Sequence, residues 1–187
     1  VSGMGVFKFI KEGIMGIRKG SEIALPQIPE KALSLPAECA GRKIAVLNPR
    51  SNTVALPDSD EVFRQIARIL LDLNYFVFTD CARNNEQGAV KGTVAFYGTF
   101  AEAFALCRKA EIVIGARSGW LDLMLLSGAK VVAVYGNADD VMAGAFDLRA
   151  MAEMLGTGME NAFQVRAAEN GKTLAQILAG TTEDYQV

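Results

Sequence analysis

Two short stretches of small and polar residues carry the side chains best suited to hold an anionic ligand. Residues 48–52 read Asn-Pro-Arg-Ser-Asn, and residues 116–120 read Ala-Arg-Ser-Gly-Trp. Small residues let the backbone approach a ligand closely, and a guanidinium together with amides at a helix N-terminus suits a diphosphate. The sequence therefore predicts a phosphate or sugar contact in the first stretch and a pyrophosphate contact in the second. The candidate ligand contacts are Asn48, Arg50, Ser51, Asn52, Ser118, Gly119 and Trp120, with Arg117 and Asp122 as the candidate catalytic residues.

Each of these assignments has a structural alternative. The first stretch is also typical of a capped turn that leads into a helix, because Asn, Pro and Ser favour turns. Asp122 falls in the first turn of a predicted helix, where a carboxylate complements the helix dipole. Arg117 has two carboxylates within reach as ion-pair partners, Asp122 and Glu111. Both interpretations stay open at the level of the sequence.

Two further turns add candidates at the same edge of the predicted sheet. Gly98, Thr99 and Glu102 form a strand-to-helix turn whose Thr-x-x-Glu spacing also predicts a capping box. Tyr135 and Gly136 end another apolar strand and are expected to border the same cleft. We include all five residues among the predicted ligand contacts.

These turns need a parallel sheet to bring them together. Apolar, β-rich runs alternate with amphipathic helical windows, which is typical of βαβ units. The last part of the chain predicts a helix between 141 and 154, a glycine-rich break at 156–158, an extended segment at 162–167 and a helix from about Thr173. The fold class expected is α/β, a Rossmann-like parallel sheet of about five strands with helices on both faces. Strands are predicted at 43–48, 75–80, 93–98, 111–116 and 130–136. Helices are predicted to about Asn74 with Asp58 or Ser59 as the N-terminal cap, from Thr99 onward, and at 119–127 with an end at Gly128.

The first 41 residues differ from the rest. Three prolines between positions 26 and 36 are typical of a linker, so we predict that residues 1–41 are a linker or the remnant of a preceding domain. Residues 6–18 have a basic amphipathic pattern, which favours packing on a neighbouring domain or, as the alternative, contact with a membrane surface. Residues 42–187 are expected to form the ligand-binding domain, with a helical tail. The first residue is Val1, which suggests a fragment or an excised domain.

Composition narrows the possible chemistry. The chain has 187 residues, no histidine and a net charge of −2, which argues against histidine-based catalysis, most zinc sites and nucleic-acid binding. We expect no metal and no cofactor. Three cysteines without Cys-x-x-Cys spacing fit a reducing cytoplasm. Within the cytoplasm, the inner face of the membrane is the alternative location. Neither a Walker loop nor a Gly-x-Gly-x-x-Gly motif follows the first strand.

From 42 to 136 the order of motifs resembles the C-terminal, donor-binding domain of heptosyltransferase-type glycosyltransferases (family 9), which is one half of a GT-B fold. The matching stretch, residues 112–139, reads IVIGARSGWLDLMLLSGAKVVAVYGNAD. The family has Asp-Ser-Gly at this turn and a His shortly after it. Here Arg117 replaces the Asp, and Asp122 stands about where the His falls. This difference implies a nucleotide sugar other than ADP-heptose.

The resemblance implies a nucleotide-sugar-binding domain of a glycosyltransferase that acts in surface polysaccharide or lipopolysaccharide-type glycan synthesis. Its transfer is expected to be metal-independent, with Arg117 and the amides near Ser118 and Gly119 holding the diphosphate. An N-terminal acceptor domain or a partner chain is expected to supply the base. Two alternatives stay open: a non-catalytic Rossmann-like interaction module, whose pocket a side chain such as Trp120 would fill, and half of a nucleotide-sugar epimerase.

Overall fold

The computed structural model describes residues 28–51, 56–81, 88–136 and 147–179. Six parallel strands form one sheet. The strands are β1 (Ile44–Asn48), β2 (Phe76–Asp80), β3 (Val94–Phe96), β4 (Ile112–Ala116), β5 (Lys130–Tyr135) and β6 (Ala162–Arg166).

The strand order is β3-β2-β1-β4-β5-β6. After β1 the chain builds outward to β2 and β3, then crosses back to place β4 on the other side of β1. In an open α/β sheet, a crevice forms outside the carboxyl ends of the strands at the point where the order reverses. That point lies between β1 and β4.

The sheet is covered on both faces because successive side chains of each strand point to opposite sides. In β1, Ile44 and Val46 join one apolar cluster, and Ala45 and Leu47 join the other. The helices are α1 (Ser59–Asp72), α2 (Phe100–Cys107), α3 (Gly119–Met124), α4 (Leu148–Leu155) and α5 (Asn170–Ala179). The first cluster is completed by α2, α3 and α4, and the second by α1 and α5.

The α/β, Rossmann-like fold class predicted from the sequence is confirmed, with six strands instead of about five. The sixth is the extended segment after the glycine-rich break, which pairs in parallel with β5. The helical segment that follows β4 ends at Gly128, as predicted. The backbone of Gly128 is left-handed, with φ of 85°. The part of the predicted C-terminal helix at 141–146 lies outside the described residues.

One local prediction is wrong. No side chain caps the N-terminus of α1, although Asp58 occupies the N-cap position. The backbone of Asp58 is left-handed there, with φ of 53°, and the Ser59 hydroxyl donates to the carbonyl of Pro49 at 2.7 Å. The Ser59 hydroxyl, which the sequence pattern predicts as a possible cap of the helix, is therefore bonded to the turn after β1.

Residues 28–41 pack on the sheet domain. Ile28, Leu33 and Leu35 lie against the first apolar cluster, and Cys39 is buried within it. The predicted domain boundary at 41/42 stays a prediction, and the basic amphipathic stretch at 6–18 lies outside the described residues. Among the helices described, none is long and apolar enough to cross a membrane.

Candidate functional site

The backbones of β1 and β4 approach each other closely at the point where the strand order predicts a crevice. Asn48, the last residue of β1, is in register with Gly115 in β4. A Cβ atom at Gly115 would lie 2.9 Å from the Asn48 carbonyl oxygen and 3.2 Å from the Leu121 side chain. Real Cβ atoms essentially never come within 3.0 Å of a neighbour, so a side chain at position 115 would force the two strand ends apart. Glycine thus fixes the spacing of the two turns that border the crevice.

The turn after β1 is organised by Asn48. Its side-chain amide donates to an Asp80 carboxylate oxygen at the end of β2, at 3.2 Å, and its side-chain oxygen accepts from the backbone N–H of Arg50 at 3.3 Å. Arg50 is partly buried, and its Nη1 atom is buried without a hydrogen-bond partner among the residues that the structure describes. The predicted contacts Asn48 and Arg50 therefore lie together at this edge, and Ser51 follows them. The predicted contact Asn52 lies outside the described residues.

Asp80 belongs to the same group of side chains. Burial raises the pKa of its carboxyl, and the hydrogen bond from Asn48 offsets only part of that effect. A carboxylate in this state readily accepts a further donor, such as a ligand hydroxyl. In the sequence, Asp80 ends the second predicted strand and opens a polar stretch, which by itself suggests only a rim position. The rule that selects the carboxyl ends of strands identifies it once β2 is known to neighbour β1.

The turn after β4 is built around a buried cation. The Arg117 side chain is 3% exposed. Its Nη2 lies 2.8 Å from a carboxylate oxygen of Asp122, and its Nη1 donates to the carbonyl of Ser118 at 2.7 Å. Burial raises the pKa of the Asp122 carboxyl, and Arg117 acts against that effect. Of the two ion-pair partners open to Arg117, the structure selects Asp122, because Glu111 pairs with Lys43 at the other end of the strands.

Ser118 occupies the N-cap position of α3 but does not cap the helix. Serine at this position normally accepts from an amide of the first turn. Here the Ser118 hydroxyl is buried and has no hydrogen-bond partner within the part of the chain that the structure describes. Two unpartnered polar atoms, Arg50 Nη1 and Ser118 Oγ, thus lie in the two turns that border the crevice. Gly119 follows with open space around its Cα, so a ligand atom can approach its backbone.

The remaining predicted residues lie around this centre. Gly98, Thr99 and Glu102 are at the end of β3, two strands or about 10 Å away from β1 at the usual strand spacing. Thr99 and Glu102 form the predicted capping box of α2. Trp120 is partly buried and packs against the first apolar cluster. Their roles in ligand binding stay predictions.

Tyr135 lies beneath the edge of the sheet. The side chain is fully buried, and its hydroxyl donates to Gln164 in β6 at 2.6 Å. Gly136 comes next and is partly buried. Sequence reasoning did not find Gln164, because the segment that contains it has no signal beyond its extended pattern. Among the described residues, no group of three His, Cys, Asp or Glu side chains is placed to hold a metal ion.

The chain shares its fold with part of several solved glycosyltransferases. It matches the glycotransferase of kitacinnamycin with a TM-score of 0.52 and 15% identity, over 87% of this chain and 40% of that one. No protein family matches the sequence, and no curated protein is similar to it at the sequence level.

Two E. coli heptosyltransferases match as well. WaaC, solved with ADP, has a TM-score of 0.52 at 14% identity, over 79% of this chain and 46% of that one. The ADP-heptose lipopolysaccharide heptosyltransferase II has a TM-score of 0.53 at 14% identity, over 79% and 49%. These matches confirm the fold-level resemblance to glycosyltransferases, including the heptosyltransferase type. The chain spans less than half of the length of each of these proteins.

Proposed function

We propose that this chain is the nucleotide-sugar-binding domain of a glycosyltransferase, with the ligand diphosphate in the crevice between β1 and β4. The observation that carries the proposal is the pair of buried, unpartnered atoms in the two bordering turns, Arg50 Nη1 and Ser118 Oγ. Buried polar atoms in folded proteins are nearly always hydrogen-bonded. A donor and a hydroxyl left free on both sides of a strand-order reversal favour an anionic ligand at that place.

Arg50 and Arg117 are assigned different roles in the site. Arg50 has a free guanidinium nitrogen that suits a phosphate oxygen. Arg117 is enclosed by Asp122 and the Ser118 carbonyl, so we assign it and Asp122 to holding the turn in shape. Their predicted catalytic effect then reaches the ligand through Ser118 and the Gly119 amide. As the sugar leaves, preorganised donors in these turns stabilise the charge that develops on the diphosphate.

Asp80 and Asn48 extend the site toward β2. A partly buried carboxylate at the end of β2, next to a phosphate-binding turn, is placed as in dinucleotide-binding folds, where such a residue accepts from ribose hydroxyls. We propose the same contact for the ribose of the nucleotide. The acceptor substrate and the base that activates it are assigned to a further domain or partner chain, since this chain covers less than half of each of the neighbours in fold. No metal is part of this mechanism.

Isothermal titration calorimetry with ADP-, UDP-, GDP- and CDP-linked sugars tests the proposal. One nucleotide should bind saturably, and Arg50→Gln should weaken its binding at least about tenfold, as expected for a lost hydrogen bond to a charged group. Arg64→Gln is the matched control, because Arg64 is an exposed arginine of α1 that pairs with Glu61. Absence of binding across the panel, or equal weakening by both variants, would contradict the proposal. Conversion of the sugar without an acceptor would favour an epimerase.

A further inference from the structure

A chain of partly buried hydrogen bonds lies beneath the turn after β4. Tyr135 donates to the Gln164 side-chain oxygen at 2.6 Å, and the Gln164 amide donates to an Asp147 carboxylate oxygen at 3.0 Å. The same Gln164 oxygen accepts from the backbone N–H of Leu148 at 3.3 Å. Asp147 caps α4 by accepting from the amides of Arg149 and Ala150. These bonds tie β5, β6 and the start of α4 together.

The chain of hydrogen bonds continues to the candidate site through Arg117. The Arg117 side chain hydrogen-bonds the Tyr135 hydroxyl. A tyrosine hydroxyl has one proton, which is donated to Gln164, so its oxygen is left to accept from the guanidinium. Arg117 in turn holds the Ser118 carbonyl and Asp122. Each hydrogen bond in this series has one defined donor: Arg117 donates to Tyr135, Tyr135 donates to Gln164, and Gln164 donates to Asp147.

We propose that Tyr135 and Gln164 are positioning residues, which hold the Arg117–Ser118 turn in the shape that receives the diphosphate. Their role as positioning residues for a ligand rests on the proposed function. Tyr135 is fully buried, so its side chain acts through Arg117 and not by touching the ligand. Gln164 lies one strand further away and sets the direction of the tyrosine proton.

The consequence of removing the hydroxyl follows from the geometry. Without the hydroxyl, the buried guanidinium loses one of its hydrogen-bond acceptors, and such a loss is costly. Arg117 then gains stability by turning toward another acceptor, and this releases the Ser118 carbonyl. The turn should open more often even though no residue of the turn itself is changed.

Amide hydrogen exchange of Arg117 and Leu121, followed by NMR in the ligand-free protein, tests this inference, because these two amides donate to the carbonyls of Val134 and Ser118 and so report the opening of the turn. Tyr135→Phe should exchange these amides about five to ten times faster than the native chain, as expected for one lost hydrogen bond. Gln164→Met, which keeps the side-chain volume, should act in the same direction. Tyr75→Phe is the matched control: Tyr75 is a buried tyrosine whose hydroxyl donates to Glu111 at 2.8 Å, at the amino end of the strands.

The nucleotide that binds the native chain supplies the second readout. Tyr135→Phe should lower its affinity about fivefold or more, and Tyr75→Phe should leave the affinity unchanged even if both variants lose similar thermal stability. Equal exchange rates of the Arg117 and Leu121 amides in the Tyr135 and Tyr75 variants overturn the inference, whether or not a nucleotide binds. Faster exchange in a chain that binds no nucleotide supports the role in the turn and overturns the proposed function alone.

Discussion

Two strand-to-helix turns of this protein begin with the same local chemistry and end differently. Thr99, after β3, and Ser118, after β4, are both hydroxyl residues at the N-cap of the next helix. The Thr99 hydroxyl accepts from the Glu102 amide, and the Glu102 carboxylate accepts from the Thr99 amide at 2.6 Å. The Ser118 hydroxyl accepts no such bond, although it is buried.

The difference shows how a closed turn and an open turn are built. At β3 the helix satisfies its own end, so that turn is complete without any other molecule. At β4 a buried ion pair beneath the turn fixes its shape, and the serine hydroxyl is left free next to the crevice. A site for a ligand is thus recognised by what the protein leaves unsatisfied, and not by the residue type alone.

The largest effect should come from removing the ion pair that supports the open turn. Arg117→Met leaves the Asp122 carboxylate buried without its partner, and such a loss costs about 3 to 5 kcal/mol of unfolding free energy. Lys43→Met breaks the exposed ion pair with Glu111, where the lysine side chain is 62% exposed, and should cost less than about 1 kcal/mol. Urea denaturation measures both changes in stability.

A double variant separates the pair from the packing around it. Arg117→Met with Asp122→Leu replaces both charges by apolar groups, and much of the lost stability should return. If the double variant is as unstable as the single one, the turn is held by something other than this ion pair. The turn after β4 would then not differ from the turn after β3 in being held by an ion pair instead of a capping box.

The second effect concerns the spacing of the crevice. Gly115→Ala places a Cβ against the Asn48 carbonyl and Leu121, so we expect a loss of about 1 to 3 kcal/mol from overpacking. Gly119→Ala is the matched control, because a Cβ at Gly119 meets nothing within 4 Å. Thermal unfolding should distinguish the two variants, and equal melting temperatures would show that β1 and β4 can separate without cost.

The sequence predicts the elements better than it predicts this contrast. Apolar runs marked five strands, and the Thr-x-x-Glu spacing marked the capping box at Thr99, because both signals are local in the chain. The sixth strand was visible only as an extended segment, since its pairing with β5 is a long-range contact. The cap expected at Asp58 or Ser59 did not form, because the Ser59 hydroxyl bonds to Pro49.

The candidate site shows the same limit. Asn48, Arg50, Ser118 and Gly119 could be selected from strand ends, because the carboxyl edge of a parallel sheet follows from topology. The sequence left the partner of Arg117 open between Asp122 and Glu111, and it gave no sign that Gln164 reaches Tyr135. Those contacts depend on which strands become neighbours. Local residue patterns do not contain that information.

The smallest effect compares the two hydroxyls directly. Thr99→Ala removes the side-chain cap of α2 and should lower the unfolding free energy by about 1 kcal/mol, and Thr99→Ser should restore most of this loss. Ser118→Ala removes a hydroxyl that has no hydrogen-bond partner among the described residues. We expect Ser118→Ala to leave the unfolding free energy unchanged or to raise it slightly, because a buried polar group without a partner is unfavourable. Chemical denaturation of the four proteins, including the native chain, measures this difference. A loss of about 1 kcal/mol in Ser118→Ala would mean that its hydroxyl caps α3 in solution, and the two turns would then be built alike.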